Sequence, residues 1–263
     1  MQTTLDSILT KKYLIGALLA TTFVILLANL IGQETAILVG NLTYVPVAGA
    51  LLVLSFLILR RFGTTGHHGT AWFSFAGYAI SAFVAEILWI VQELYLKVDP
   101  FPSAADIFYL ASYPFLLLFF ISYFQPVKKA ITKKMVFSSI ALAIGILIPS
   151  LFLAVEPETG TESSVIALGA IYPIFDAMIL VPALIGVSLF FNGKVNFMWS
   201  LFCLGTLSTF IGDTAFLFGQ NEATYYTGNP MEIPFYWNYV LLSFGVFSQL
   251  MIFQKDKKLE DFR

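Results

Sequence analysis

The sequence predicts an all-α integral membrane bundle of about eight transmembrane helices in four hairpins. Three observations carry this. Apolar residues make up 58% of the 263-residue chain and charged residues only 11%, against roughly 25% charged in a soluble domain. Mean hydropathy is +0.83. The apolar residues fall in runs of spanning length, since a helix needs about 20 of them to cross a bilayer. A soluble core has no use for 27 phenylalanines in a chain of this size, whereas a bundle in lipid is apolar on its outside as well.

Eight runs follow in order: roughly 13–32, 41–60, 71–92, 105–124, 134–154, 165–191, 198–219 and 233–254. The first follows Lys11 and Lys12 and lacks a cleavage site, so it reads as a helix that stays rather than a signal peptide. Short connections suit sequential up-down hairpins. The chain reads as a single polytopic domain over 1–263, and the KDKKLEDFR tail is too short to fold alone.

Basic residues give the expected orientation. With the N-terminus inside, Lys11, Lys12, Arg60, Arg61, Lys128, Lys129, Lys133, Lys134, Lys194, Lys255, Lys257, Lys258 and Arg263 fall in cytoplasmic segments. Lys97 alone falls outside. An even helix count with both termini cytoplasmic in the cell membrane satisfies the positive-inside rule. The outer segments carry Glu34, Glu93, Asp99, Glu156, Glu158, Glu162, Glu222 and Glu232. This acidic face either complements the basic inner face or attracts cations.

A repeat is visible at an offset of 127 residues. Trp72 aligns with Trp199, Phe75 with Phe202, Ser81 with Ser208 and Phe83 with Phe210, and Glu86 falls on Asp213. Phe108-Tyr109 aligns with Phe235-Tyr236, and Phe120 with Phe247. The shift spans four helices, so units 71–124 and 198–254 form a parallel repeat. A shorter echo pairs Tyr113-Pro114 with Tyr172-Pro173. Proline in a helix frees a carbonyl. Ordinary helix shaping and a cavity-opening kink are the two readings.

Three acids lie within the apolar runs: Glu86, Asp176 and Asp213. With the expected orientation all three fall in the outer half of the membrane, where Asn29 joins them. No lysine or arginine lies within the core of any run to pair with them. Intramembrane acids are costly and face the bundle interior. Tyr78, Ser81, Tyr113, Tyr172, Ser208 and Tyr236 are candidate partners. Two readings stand: a cation, proton or polar-ligand site opening outward, or a buried network that fixes packing. Asp106 sits three residues after Ser103, the pattern of a capping box, at the mouth of the bundle beside Trp89 and Tyr109. Trp72, Trp89, Trp199, Trp237, Tyr225 and Tyr226 suit interfacial aromatic belts.

Several chemistries lack their residues. Histidine occurs only as His67 and His68, in a segment read as a cytoplasmic loop, and no HExxH, GxSxG or Walker motif is present. The late helices have no lysine for a retinal Schiff base. Cys203 is the single cysteine, so no internal disulfide forms. Basic residues are too few and scattered for nucleic-acid binding.

The run Glu86, Trp89, Pro100, Pro102, Ser103, Asp106, Tyr109, Leu110, Tyr113, Pro114, with the later Tyr172-Pro173, Asp176 and Gly212-Asp213, resembles a family of archaeal and bacterial multi-pass membrane regions. Such regions stand at the N-terminus of some diguanylate cyclases and histidine kinases. The resemblance covers most of the chain and implies a sensing or input module. Here no output domain is expected after the last helix, so a separate cytoplasmic or membrane signalling protein would relay the signal. Lys255, Lys257 and Lys258 suit such a partner or the headgroups of the lipid bilayer. The leading expectation is a stand-alone membrane sensor or accessory module with an outward-facing polar cavity. A small transporter or channel for a cation or small polar solute is second, and a membrane enzyme third.

Overall fold

The computed structural model describes residues 2–154, 163–193 and 195–260. Among the described residues the architecture is all-helical. The long helices are α1 Gln2–Ile31, α2 Gln33–Phe62, α3 Gly66–Ile90, α4 Ala104–Phe124, α5 Lys133–Ala154, α6 Ser163–Leu189, α7 Asn196–Asn221 and α8 Ile233–Glu260. All eight are long and apolar enough to cross a membrane, which supports a multi-pass membrane protein. α3 runs on through a π-helical turn, Val91–Leu96, and α4 through a 3₁₀ turn, Gln125–Ala130. A 3₁₀ turn, Pro230–Glu232, leads into α8. Glu156, Glu158, Glu162, Lys194 and Arg263 lie outside the described residues.

Two boundaries differ from the sequence reading. Residues 33–40, expected as a loop, are the opening of α2, separated from α1 by Gly32 alone. Glu34 therefore occupies the first turn of a helix, where its charge complements the exposed N–H groups. His67 and His68 likewise belong to the first turn of α3 rather than a loop. The His68 ring meets Tyr123 edge-on at 5.0 Å. At the start of α4 the capping box is present as expected. Ser103 Oγ accepts from the Ala105 N–H at 3.1 Å, and Asp106 Oδ2 accepts from the Ser103 N–H at 2.6 Å.

The most extensive helix contacts are α3 on α4 and α7 on α8, with α2 and α6 packed around them. α1 lies against α2 and α8, and α5 against α6 and α7. Both peripheral helices leave large apolar side chains uncovered: Leu19, Phe23 and Leu30 on α1, and Phe137, Ile148 and Phe152 on α5. Hydrocarbon is the solvent that such surfaces match. Close helix approach uses small residues, as in other membrane bundles. The Phe115 ring of α4 sits over Gly77, and the Phe235 ring of α8 over Gly212.

Near the N-terminal ends of α3 and α7, the core is aromatic. Trp72, Phe75, Phe119, Trp199 and Phe202 are all fully buried there. This corrects the belt reading of Trp72 and Trp199. Their rings fill the bundle interior because α4 and α6 present Phe and Gly surfaces that receive them; the Trp199 ring lies on Gly186. Trp237 does suit a belt, being partly exposed and donating its indole N–H to Thr22 Oγ1 at 3.0 Å.

Candidate functional site

The other end of the bundle is built differently. Each central helix there carries a polar stripe at helical spacing, so its members share a face. On α4 the stripe is Asp106, Tyr109 and Tyr113; on α6 it is Tyr172 and Asp176; on α7 it is Thr206, Thr209 and Asp213. On α3 it is Tyr78 and Glu86, and across the α8 start it is Glu232, Tyr236 and Tyr239. The stripes converge on a cavity of about 120 Å³. Tyr44 of α2, Ser112 of α4, Tyr225 of the α7–α8 connection and Asn238 of α8 add to its polar lining.

Five carboxyl groups line this cavity: Glu86, Asp106, Asp176, Asp213 and Glu232. Each is at least nine-tenths buried. Among the described residues no lysine, arginine or histidine lines it. Tyrosine hydroxyls meet the carboxyls instead. Tyr113 donates to Asp176 Oδ1 at 2.8 Å and also faces Asp213 Oδ2 at 3.2 Å. Tyr172 donates to Asp106 Oδ1 at 2.5 Å. Tyr239 donates to Glu86 Oε1 at 2.6 Å, and the Tyr109 hydroxyl also bonds to Glu86. Tyr225 donates to Glu232 Oε1. Tyr236 and the Gly228 N–H donate to Glu232 Oε2, at 3.2 and 2.7 Å.

One oxygen stands apart. Asp176 Oδ2 is buried and receives no donor. The group beside it is the Asp213 carboxyl, which can satisfy it only through a proton held between the two. Five bare carboxylates in a low-dielectric interior repel one another, so their charge must be balanced by protons or by a cation.

Aromatic rings form one wall. Trp89 meets Tyr109 and Phe216 edge-on at 6.3 and 6.2 Å, and Phe216 meets Phe101 and Tyr225 at 5.0 and 4.5 Å. The Trp89 indole N–H donates to Thr227 Oγ1 at 3.0 Å, which fixes the ring. Tyr225, in the connection after α7, has its phenol pushed well above its ordinary value by burial and by the Glu232 charge beside it. It therefore remains a donor to that carboxyl.

The structure brings together Glu86, Trp89, Asp106, Tyr109, Tyr113, Tyr172, Asp176 and Asp213 from the sequence expectation. Asn29 stands elsewhere. Its amide donates to the Gly228 carbonyl at 2.7 Å and its carbonyl accepts from Tyr226 at 2.6 Å. It ties α1 to the α7–α8 connection, whose Gly228 packs closely on the first turns of α2. Tyr236 lies behind the cavity wall, stacked on Tyr44 at 4.2 Å. Ser81 and Ser208 are buried outside the lining, and Tyr78 accepts from Asn238 at 3.3 Å rather than meeting an acid.

Glu232 corrects the sequence reading. Placed among loop acids, it is 3% exposed and turned inward. Its spacing with Tyr236 and Tyr239 carries the signal, but it stands one residue before the apolar run that begins at 233 and so reads as a loop acid. Tyr44 and Tyr239 are further lining residues that the sequence does not single out. Among the described residues no group of three or more histidine, cysteine or acidic side chains is arranged to hold a metal ion. Comparisons with protein families, with curated proteins and with solved structures find no match.

Proposed function

We propose that this chain is a membrane sensor or accessory module whose intramembrane cavity takes a small ligand. The observation that carries the reading is the cavity itself: five buried carboxyls and, among the described residues, no cationic side chain. A network serving packing alone gains most when every member is satisfied. Here Asp176 lines the cavity and its buried Oδ2 receives no donor from the chain other than a proton shared with Asp213. Pockets combining apolar walls with a few convergent polar groups are the usual form of a small-ligand site. The resemblance to the membrane input regions of signalling proteins favours sensing over catalysis.

The proposal includes orientation. With both termini cytoplasmic, thirteen of the fourteen basic residues lie inside, and the cavity lies in the outer half of the membrane. It also includes duplication of units 71–124 and 198–254, which places an acid on both α3 and α7. The signal then passes from the cavity, along α4, α7 and α8, to the cytoplasmic end and a separate signalling protein.

The second reading is a transporter or channel for a cation or small polar solute. It is favoured by Pro114 in α4 and Pro173 in α6, each directly after a tyrosine that donates to a cavity acid. One experiment separates the two. The full chain is reconstituted in proteoliposomes with spin labels at residues 129 and 250, and cations and small metabolites are scanned across pH. A label-distance change without flux supports the sensor. Flux lost in Glu86→Gln and Asp213→Asn variants makes the protein a transporter. Neither response to any tested species removes both readings.

A further inference from the structure

We infer that the cavity takes a small organic ammonium ion, its charge facing Asp176 and Asp213 and its carbon groups against the Trp89–Phe216 wall. This deepens the proposed function and rests on that reading.

The inference starts from charge. A lining with five carboxyls and no basic side chain repels anions and offers a cation the counter-charge that the protein does not supply. Among the described residues, Asp176 and Asp213 are the one pair of lining carboxyls that face each other, and Asp176 Oδ2 has no tyrosine or backbone donor, so the pair carries charge that only a proton or a bound cation balances. An N–H or N⁺–CH₃ group in the cavity faces Asp176 and Asp213 together, since both line it and Tyr113 holds the pair side by side.

Chemistry then narrows the cation. Hard metal ions such as calcium gather six or more oxygen ligands at short range. Here the other three carboxyls are each committed to a tyrosine, and no set of three or more converges among the described residues. The remaining surface is aromatic instead. Ammonium groups are held by such faces through the ring quadrupole, most strongly when desolvated. Trp89 is locked by Thr227, and Phe216 is boxed by Phe101 and Tyr225, so the wall is ordered before a ligand arrives. Size is the last constraint. A cavity near 120 Å³ compares with an engineered cavity of about 150 Å³ that takes benzene, so the ligand has roughly five to seven non-hydrogen atoms.

The test uses the full chain in lipid nanodiscs and isothermal titration at constant ionic strength. The probes are methylammonium, tetramethylammonium and choline. Controls are sodium ion and 3,3-dimethylbutan-1-ol, the uncharged carbon counterpart of choline. At least one ammonium probe is expected to bind saturably. The alcohol should bind at least about tenfold more weakly. Asp176→Asn should weaken the ammonium by a similar factor, with unchanged elution and melting. Trp89→Leu should also weaken it, which a purely ionic site would not show. The wild-type comparison of choline with its alcohol does not depend on any variant folding. Equal binding of the alcohol overturns the ammonium assignment and leaves a ligand-binding module. Binding of sodium alone overturns it in favour of an inorganic cation site. If no probe binds, the ammonium assignment falls, and the sensory reading is decided by the spin-label experiment.

Discussion

Phe75 and Phe202 stack on each other with ring centroids 5.3 Å apart and planes 16° apart, although 127 residues separate them in sequence. That interval is the offset of the sequence repeat. Trp72 and Trp199, separated by the same interval, are both fully buried with indole N–H groups that lack a partner. Single Phe75→Ala and Phe202→Ala variants should each lower stability. The double variant should lose less than the sum, with a coupling of about 0.5–1.5 kcal/mol. Unfolding in mixed micelles measures it, and strict additivity would remove the pair as a structural unit.

Tyr113 joins two carboxyl groups from different helices through one hydroxyl. Tyr113→Phe keeps the ring packing and removes that donor. The expected loss of stability is about 1–3 kcal/mol, because buried acceptors lose their partner. The same variant should weaken ammonium binding, since Asp176 and Asp213 are no longer held together. Thermal unfolding and titration on one preparation check both. An unchanged melting temperature would show that water replaces the hydroxyl.

Gly228 adopts φ of +81° where α2 passes close to the α7–α8 connection. A Cβ there meets the Ala36 carbonyl, and one on Gly40 would lie 2.5 Å from Gly228 Cα. The left-handed conformation adds roughly 1–2 kcal/mol for a residue with a Cβ. Gly228→Ala should therefore reduce folded yield sharply. Gly16→Ala is the control: it has no neighbour within 4 Å of its added Cβ and lies in α1, where the change gains about 0.5–1 kcal/mol. Size-exclusion recovery after solubilisation reads both. Equal recovery would show that the connection can move away from α2.

Glu232 accepts three hydrogen bonds from Tyr225, Tyr236 and Gly228. Glu232→Gln turns one acceptor into a donor facing other donors, which should cost about 1–3 kcal/mol. Glu222→Gln, on an exposed residue of the same connection, should change stability by no more than about 0.5 kcal/mol. Paired denaturation curves distinguish them, and equal small effects would place Glu232 outside the network.

Orientation has its own check. In a Cys203→Ser background, single cysteines replace Asp99 and Lys129. An impermeant maleimide applied to intact cells should label the cysteine at 99 and spare the one at 129. The opposite pattern would invert the orientation and place the cavity toward the cytoplasm.

Sequence by itself determined the helical class and the eight apolar runs. Bilayer length and backbone hydrogen bonding leave a chain of this composition few alternatives. It also showed the local cap at Ser103 and Asp106, and the acids whose cost in an apolar run makes them visible. Glu86, Asp176 and Asp213 were legible for that reason. Tertiary structure decided which polar groups meet. Glu232 reads as a loop acid until the turn at Gly228 folds it under Tyr225. Tyr44 and Tyr239 read as ordinary apolar-run aromatics until α2 and α8 bring them to the cavity. Asn29 reads as a neighbour of the acids until α1 settles at the periphery and its amide turns to Gly228. The physical reason is range. Burial cost and helical period act within one segment and mark its inward face, whereas a hydroxyl–carboxyl contact between helices depends on packing angles set by the whole bundle.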